Sequence, residues 1–580
     1  MNRRKFFEKS LLATGGLMLA PIYISCNDDD KLIDEIPSLT KGNFLEGVAS
    51  FDPTSSSVII WTRYTPSSDL NKQDNSSVSW QIASDKSFKN VVRSGKFLTS
   101  SSRDYTVAIN VQDLESNSKF YYRFFDLETK KVSVIGETIT LPKIGDTVTD
   151  VKLAVCSCAN YAAGLFNVYG AMAKSDADVI IHLGDYIYEY GEGEYGTNEN
   201  TVALDRVHSP KHEIVTLEDY RNRYKQYRRD EQLQLAHQKK PFICVWDDHE
   251  ISNDAYKDGA DNHQSSEGSY ETRKQIAIQV YSEFLPIKSA DPAKIYRSFD
   301  FGSILSLHML DTRIIGRDKQ LSYNDFLNPS TGQLDAVAFQ ASLQDPNRSL
   351  LGSDQLNWLS GAVSGSGASW QVLGQQVLMG KMFMPAELLI LLGTIVAEIS
   401  AKGTLSEKTA TAFKTTLTEL TTIKGRLLAG DTTLTATEMT RVKTVVPYNL
   451  DAWDGYFVER EQLFGALKGK KIVCLAGDTH NAWHSTLKNL KGEEVGVEFA
   501  TSSVSSPGLE QYVGLEPQAV AGFEQSLQLL IDDLTYTDAS NRGYLKVIFT
   551  AGAAEAQWNV IDTIAQEGYT ETVRNTVSYS

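Results

Sequence analysis

Four short apolar runs, each followed at once by polar or ionisable side chains, constrain this chain more than any other feature. They are 153–158 before Ala159 and Asn160, 179–183 before Gly184, Asp185 and Tyr188, 242–246 before Asp247, Asp248, His249 and Glu250, and 472–476 before Gly477, Asp478 and His480. Such runs predict buried strands. Ligands of open α/β sheets bind beyond the carboxyl ends of the strands. If these strands lie side by side, a thiol, a phenol, several carboxylates and two imidazoles meet in one pocket.

This pocket predicts bound cations, because so many ionisable groups are costly to bury together unless cations neutralise them. Each motif alone is a weak signal, since a Gly-Asp pair is often a turn and a lone histidine is usually a hydrogen-bonded core residue. Four at equivalent positions are harder to attribute to chance. Thiolate and phenolate favour a trivalent or softer transition ion, whereas carboxylate and carboxamide oxygens favour calcium, magnesium or manganese. The mixture therefore predicts a mixed cluster, which suits in-line phosphoryl displacement.

Net charge limits the partners of this chain. The 580 residues, enough for two or three domains, carry a formal charge of −17. Residues 1–25 hold four basic residues and one acidic residue, so the rest of the chain carries −20. Such an acidic protein is a poor candidate for a nucleic-acid-binding surface. A phosphate-bearing substrate needs local positive charge, which bound metal can supply.

The N-terminus has the features of an export signal. Arg3 and Arg4 precede an apolar stretch at 11–24 that is too short to span a bilayer. Twin arginines resemble the signal read by the Tat export machinery. Ser25 and Cys26, followed by a polar segment, resemble a lipoprotein attachment site, although Tyr23 fits that pattern poorly. We predict a signal peptide at 1–25, a tether at 26–42 and lipid anchoring at Cys26, facing the periplasm or cell surface. Ordinary signal-peptide cleavage nearby is the alternative.

The other cysteines do not predict a disulfide framework. Four remain if Cys26 carries lipid, which is few for a large exported protein. Cys156, Cys244 and Cys474 lie inside apolar runs, where a small buried thiol is the usual interpretation. Cys158 ends its run, and it is the cysteine predicted to have a functional role.

The chain divides into an all-β part and an α/β part. Residues 43–142 contain short runs rich in β-branched and aromatic residues, which predict an N-terminal sandwich like a fibronectin or immunoglobulin module. Pro142 marks the boundary, and from 150 to 580 strands alternate with helices. A helical insertion is predicted at 386–443. Its apolar residues recur at helical spacing, which favours a structural cover over a substrate lid; they are Phe413, Leu417, Leu420, Ile423 and Leu427.

Several motifs resemble the PhoD family of alkaline phosphatases and phosphodiesterases, in the calcineurin-like metallophosphatase superfamily. The likeness runs from about residue 43 to the C-terminus, apart from the insertion. It rests on Gly-Val-Ala-Ser-Phe-Asp-Pro at 47–53, Trp-Thr-Arg at 61–63, Gly-Asp-Tyr-Ile-Tyr-Glu at 184–189, Trp-Asp-Asp-His-Glu-Ile at 246–251, Gly-Ala-Asp-Asn-His at 259–263, Leu-Asp-Thr-Arg at 310–313, Asp-Ala-Trp-Asp-Gly-Tyr at 451–456, Gly-Asp-Thr-His at 477–480 and Ser-Pro-Gly at 506–508. Phe51 and Ala159 depart from the pattern, and Ala159 directly follows Cys158.

The resemblance implies a four-layer metallophosphatase β-sandwich flanked by helices, with Fe(3+) and Ca(2+) bound together. It implies iron ligands at Cys158, Asp185 and Tyr188, with Asp185 bridging. It implies further metal positions at Asp248, Asp478 and His480. Gln376, or its neighbour Gln375, matches a glutamine of the superfamily's third motif. His249 matches a histidine that steadies the transition state or the leaving group.

We therefore expect an exported alkaline phosphatase or phosphodiesterase that hydrolyses small phosphate mono- or diesters. Direct attack by a metal-bound hydroxide is expected, because no serine or threonine nucleophile signature accompanies the ligands. One alternative is a phospholipase D-like phosphodiesterase acting on lipids, nucleotides or polymers. An alternative of another class is a non-enzymatic surface ligand-binding lipoprotein, which predicts broken metal motifs, whereas here they are intact.

Overall fold

The computed structural model describes residues 40–66, 75–331, 333–402 and 404–580. The predicted signal peptide, the lipid attachment at Cys26 and the tether up to residue 39 lie outside these ranges. Across the described ranges, no helix combines the length and apolar character that crossing a bilayer requires.

Strands dominate both parts of the chain. Within the described residues they are β1 (Thr40–Lys41), β2 (Val48–Phe51), β3 (Val58–Arg63), β4 (Ser76–Ala83), β5 (Val91–Thr99), β6 (Thr106–Val111), β7 (Lys119–Asp126), β8 (Lys131–Val132), β9 (Gly136–Ile139), β10 (Val151–Cys156), β11 (Val179–His182), β12 (Phe242–Cys244), β13 (Arg297–Phe301), β14 (Leu305–Met309), β15 (Trp370–Gly374), β16 (Phe383–Pro385), β17 (Val445–Pro447), β18 (Lys471–Ala476), β19 (Ala482–Lys488), β20 (Glu494–Ala500), β21 (Leu534–Asp538), β22 (Arg542–Phe549), β23 (Ala554–Ile561) and β24 (Glu571–Tyr579).

Helices alternate with the strands of the α/β part. Those described are α1 (Asn167–Lys174), α2 (Leu217–Arg228), α3 (Glu231–Lys239), α4 (Tyr270–Phe284), α5 (Ala336–Leu343), α6 (Ser353–Gly365), α7 (Ala386–Lys402), α8 (Glu407–Leu428), α9 (Ala436–Lys443), α10 (Phe457–Ala466), α11 (Leu509–Tyr512) and α12 (Pro517–Leu530). Several begin at a side-chain cap; for example, the Thr216 hydroxyl accepts the Asp219 N–H at the start of α2.

Three large sheets organise the molecule. The first has the order β1-β8-β7-β4-β5, with β9 also paired to β7. The second has the order β24-β23-β22-β10-β11-β12-β2-β3-β6, and the third β13-β14-β15-β18-β20-β19-β21. The pair β16-β17 stands apart.

The N-terminal strands do not form a sandwich separate from the α/β part. β2, β3 and β6 extend the second sheet beyond β12, where Phe51 pairs with Phe242 in parallel register. The backbone N–H of Asp52 continues this contact by donating to the Phe242 carbonyl over 3.1 Å. The first sheet packs on one face of β2, β3 and β6, and the core between them includes Ile60 and Tyr122. The N-terminal β region therefore shares one of its two layers with the sheet that carries the candidate site, since β2 satisfies the otherwise unpaired edge of β12.

The four apolar runs form strands in two sheets, not in one. β10, β11 and β12 are parallel neighbours in the second sheet, but β18 lies in the third. The condition that all four strands lie side by side therefore holds for β10, β11 and β12 but not for β18. The two sheets pack face to face through a shared core, whose members include Val155, Ile181, Leu307, Val372 and Val473. An isolated bridge between Ser157 and Ser503 joins the two sheets beyond β10 and β20. The end of β18 therefore meets the other three from the facing sheet.

A second core lies on the outer face of the third sheet. There Ile472 and Cys474 pack against helices α6 and α10. Residues 386–443 hold α7, α8 and α9, which close the same core together with α12. The predicted stripe packs inward, with Phe413, Leu420 and Ile423 buried. The apolar stripe of the insertion therefore belongs to the hydrophobic core, which agrees with the interpretation as a structural cover.

Candidate metal centre

The predicted ligands sit where their strands turn sharply. Cys158, Asp185, Asp478 and His480 have φ angles of 61°, 54°, 65° and 64°. Residues with a Cβ adopt this left-handed region at a cost of about 1–3 kcal/mol each, so they persist there only where the surroundings hold them. Gly184, at φ 109°, lets the end of β11 approach that of β12, because a Cβ there would lie 2.4 Å from the Asp247 Cβ. The backbone is shaped to point these side chains inward.

Three overlapping groups of side chains could each hold a metal ion. They are Cys158, Asp185 and His480; Asp185, Asp248 and His249; and Asp247, Asp248 and Asp478, each with one donor atom per residue within 4.8 Å of the others. Asp185 belongs to two of the groups. The Tyr188 hydroxyl lies 2.9 Å from Asp185 Oδ2 and 3.3 Å from His480 Nε2, so it joins the first group. The structure thus brings together every predicted site residue among the described ones except Gln376.

The donor set fits bound cations. Within the part of the chain that the structure describes, Asp185 Oδ1 and Asp247 Oδ2 are buried without a hydrogen-bond partner. Burial raises the pKa of the Asp185 carboxyl well above its usual range, and nearby Asp247, Asp248 and Glu250 add to that rise. Burial, followed by the charge of Asp185, also raises the pKa values of the Cys158 thiol and the Tyr188 phenol. Unpaired carboxylate oxygens are costly to bury, and a cation removes that cost.

His480 is held in the form that a metal ligand needs. Its Nδ1 lies 2.7 Å from the Pro507 carbonyl oxygen, to which it donates. This bond leaves Nε2 without a proton and directed towards the Tyr188 hydroxyl and the cluster. Burial lowers the pKa of His480 to about 3, so the ring is neutral at physiological pH.

His249, in contrast, lies beside a buried carboxylate that favours the protonated ring. Its Nδ1 lies 2.7 Å from Oε2 of the fully buried Glu189. Burial opposes a charge on the ring, but Glu189, Asp248 and Asp185 together raise the pKa of His249 well above its ordinary value. The other oxygen of Glu189 accepts from the Asn253 N–H and the Asn262 amide over 2.8 and 2.9 Å. A protonated imidazole at the edge of the cluster can donate a proton.

Arg313 is the main site residue to which sequence reasoning gave no role. Its buried guanidinium contacts Asp247, lies 2.7 Å from Asp478 Oδ1 and lies 2.9 Å from Asp451 Oδ2. Asp248 is 3.6 Å away. The sequence did contain a signal for this residue, because Arg313 ends the Leu-Asp-Thr-Arg motif at 310–313. One guanidinium therefore holds carboxylates from three separate segments.

Glu250 connects the ends of β11 and β12. Its carboxylate accepts the backbone N–H groups of Asp185, Tyr186 and Asp247 over 3.0, 2.5 and 2.6 Å. Burial raises its pKa to about 8, although these three bonds oppose the rise. Glu250 thus fixes the two turns that carry Asp185 and Asp248.

Gln376 has contacts outside the three groups. Its oxygen accepts from the N–H and hydroxyl of Thr312, and its amide donates to the carbonyls of Trp246 and Leu310 over 2.6 and 3.0 Å. These bonds support the turns around Arg313 and Asp247. Gln375 instead donates to Cys474 Sγ and accepts from Trp453, in the outer core. The role of Gln376 as a metal ligand stays a prediction.

Three comparisons with known proteins point to one family. The profile of the PhoD-like phosphatase family matches residues 153–558, and that of its N-terminal domain matches residues 32–142. Alkaline phosphatase D of Bacillus subtilis is 30% identical over 594 aligned positions, which span all of this chain and 87% of that protein. A solved structure described as the structure of PhoD superposes with a TM-score of 0.71 at 29% identity, covering 94% of this chain and 91% of that one.

Fold, site and comparisons together define a metal-dependent phosphoric ester hydrolase. The chain belongs to the PhoD-like phosphatase family. This confirms the expected alkaline phosphatase activity class, and the alternative of a non-enzymatic binding lipoprotein is set aside.

Proposed function

We propose that this phosphatase transfers the phosphoryl group of its substrate directly to water in one in-line displacement, without a phosphorylated enzyme residue. The observation that carries the proposal is the sharing of Asp185 by two ligand groups, with the His249–Glu189 pair beside them. Cations held there would polarise the phosphoryl oxygens and lower the pKa of water. We propose Fe(3+) and Ca(2+), because a thiolate and a phenolate stand beside hard carboxylate oxygens.

The predicted site residues would have separate roles in metal binding and proton donation. Cys158, Asp185, Tyr188 and His480 would hold one cation, and Asp248 and Asp478 would contribute to a neighbouring one. His249 would give its Nε2 proton to the leaving oxygen. Glu189 keeps the ring oriented for this transfer, because it is fully buried and itself fixed by two further hydrogen bonds.

The hydroxyls of Ser506 and Thr479, which lie beside the predicted ligands, are not set up as nucleophiles. The Ser506 hydroxyl lies 2.9 Å from the Cys158 carbonyl oxygen and 2.7 Å from the Tyr188 hydroxyl, with no base beside it. The Thr479 hydroxyl accepts from the Trp483 indole over 2.8 Å. An activated serine or threonine needs an adjacent general base.

We further propose a four-layer metallophosphatase sandwich, an N-terminal region of fibronectin-like type, and phosphate mono- or diesters as substrates. The twin arginines and Cys26 support Tat-dependent export followed by lipid anchoring. One acyl chain gives only marginal attachment, so stable anchoring would need a second membrane signal.

The stereochemical course of hydrolysis tests the displacement. A phosphorothioate ester made chiral at phosphorus would be hydrolysed in isotopically labelled water, and the configuration of the product determined. Inversion is expected for one displacement. Net retention indicates two displacements through a covalent intermediate and would overturn the proposal.

A further inference from the structure

Two tyrosines cover one side of the metal centre. The Tyr195 ring lies 6.3 Å from the His480 ring and 6.4 Å from the His249 ring, measured between centroids. Its hydroxyl lies 3.2 Å from His480 Nδ1. The Tyr512 hydroxyl donates to the Tyr195 hydroxyl over 2.8 Å. Tyr512 is 37% exposed, so the pair runs from the cluster to the protein surface.

The loop that carries Tyr195 is fixed close to a predicted ligand. The amide of Asn160, two residues after Cys158, donates to the Tyr195 carbonyl over 3.3 Å. Gly196 follows with φ 86°, and a Cβ there would lie 2.4 Å from the Asn160 side chain. Only a glycine lets this loop lie so close to Asn160. Tyr195 is therefore held beside the cluster by the same segment that presents Cys158.

The helical insertion supports Tyr512 from the other side. Leu509 and Val513, which flank Tyr512, belong to the core that α7, α8 and α12 close. A side chain at Gly514 would meet Ile399 and Leu405 of the insertion at 3.8 and 4.0 Å. Upstream in the same segment, Pro507 accepts the His480 hydrogen bond. The position of Tyr512 over the site thus depends on residues of the insertion.

We propose that Tyr195 and Tyr512 are specificity-determining residues, and that their hydroxyl contact limits the bulk of the ester that reaches the metal centre. On this proposal, a second large organic group on phosphorus meets the Tyr512 ring, whereas an ester with one organic group does not. This inference rests on the proposed function, since it assigns the substrate class of that same site. The helical insertion would then influence substrate selection through Tyr512, although its own apolar stripe belongs to the core.

The test compares two esters that release the same chromophore, p-nitrophenyl phosphate and bis(p-nitrophenyl) phosphate. Tyr512→Ala should raise the ratio of kcat/KM for the diester to that for the monoester by about tenfold, the usual scale for a change in pocket size. Tyr512→Phe keeps the ring but frees it from Tyr195, and should raise the ratio by about threefold. The control is Tyr121→Ala, on β7 of the first sheet, which should leave the ratio unchanged.

Metal content per chain is measured for every variant, so that a damaged metal centre is recognised. A ratio within twofold of wild type for Tyr512→Phe, with metal content intact, would overturn the inference, and it would do so even if Tyr512→Ala failed to fold. The proposed function fails in a different way, because a covalent intermediate would appear as net retention at phosphorus and would leave the ratio for the two esters untouched.

Discussion

The guanidinium of Arg313 lies 2.7 Å from Oδ1 of Asp478, and the same group also contacts Asp247 and Asp451. This buried guanidinium therefore reduces the repulsion between the carboxylates at the ends of β12 and β18. Arginine suits this position, because its planar group reaches several carboxylates at fixed angles, whereas lysine offers a single point charge.

Replacing Arg313 should destabilise the protein, and added metal should restore part of the lost stability. Without metal, Arg313→Gln should lower the free energy of unfolding by about 3–5 kcal/mol, because it leaves buried carboxylates unpaired. Calcium should reduce the loss by neutralising the same oxygens. Urea unfolding with and without calcium measures both effects. Arg574→Gln removes a half-exposed ion pair with Asp538, and should change stability by less than about 1 kcal/mol. A loss for Arg313→Gln that calcium does not alter would contradict this account.

Replacing His249 separates proton donation from metal binding. We expect His249→Ala to lower kcat by about 10²–10⁴-fold on an alkyl phosphate, the usual worth of general acid catalysis, with metal content close to wild type. The loss should be smaller on p-nitrophenyl phosphate, because its leaving group departs without a proton. His249 also belongs to one of the three candidate ligand groups. Loss of metal together with activity would therefore assign it as a ligand and not as the acid.

Glu498 should make stability depend on pH. This buried residue on β20 accepts the N–H groups of Met379 and Gly380 over 2.5 and 3.0 Å, and burial raises its pKa to about 7. Since the folded pKa exceeds the unfolded value of 4.5, the stabilising contribution is complete below pH ~4.5. It is lost as pH rises through about 7.

Unfolding free energies of wild type and Glu498→Gln, taken at pH 5 and pH 8, isolate this residue. The wild type should lose about 3 kcal/mol relative to the variant over that interval. Glu567→Gln, at an exposed position, is the matched control and should show no such difference. A difference of the opposite sign would show that Glu498 is stabilised in its charged form.

Cys26→Ala tests the predicted anchor. We expect the wild-type protein in the membrane fraction and the variant in the soluble periplasmic fraction, with phosphatase activity retained, because Cys26 lies far along the chain from the predicted ligands. Cell fractionation followed by an activity assay measures this. A wild-type protein that is already soluble would rule out lipid anchoring.

Local signals in the sequence located most of the candidate site. Cys158, Asp185, Asp248 and His480 could be predicted, because each follows an apolar run that ends in polar residues. The same signals could not assign β18 to the facing sheet, since sheet membership depends on pairings between residues far apart in the chain. They also gave no role to Arg313 or Glu189. The role of a buried charged residue becomes clear only when its ion-pair partners are known. For Arg313 these partners are Asp247, Asp451 and Asp478.

No feature of the sequence indicated that the N-terminal strands β2, β3 and β6 continue the second sheet. Residues 43–142 have the composition of an independent β module, and the pairing of Phe51 with Phe242 spans almost two hundred residues. Short strands with strong β propensity can complete a neighbouring sheet as readily as their own.

Elemental analysis of the protein purified without added metal tests the central claim most directly. We expect iron together with calcium or another hard cation in the active wild-type protein, because a buried thiol and phenol stand beside carboxylates with unsatisfied oxygens. Asp185→Asn should lose both metal and activity, since Asp185 is shared by two ligand groups, whereas Asp113→Asn, at a surface position, should keep both. Fully active protein that contains no transition metal would contradict the iron assignment, and an Asp185→Asn variant with normal metal content and activity would contradict the site itself.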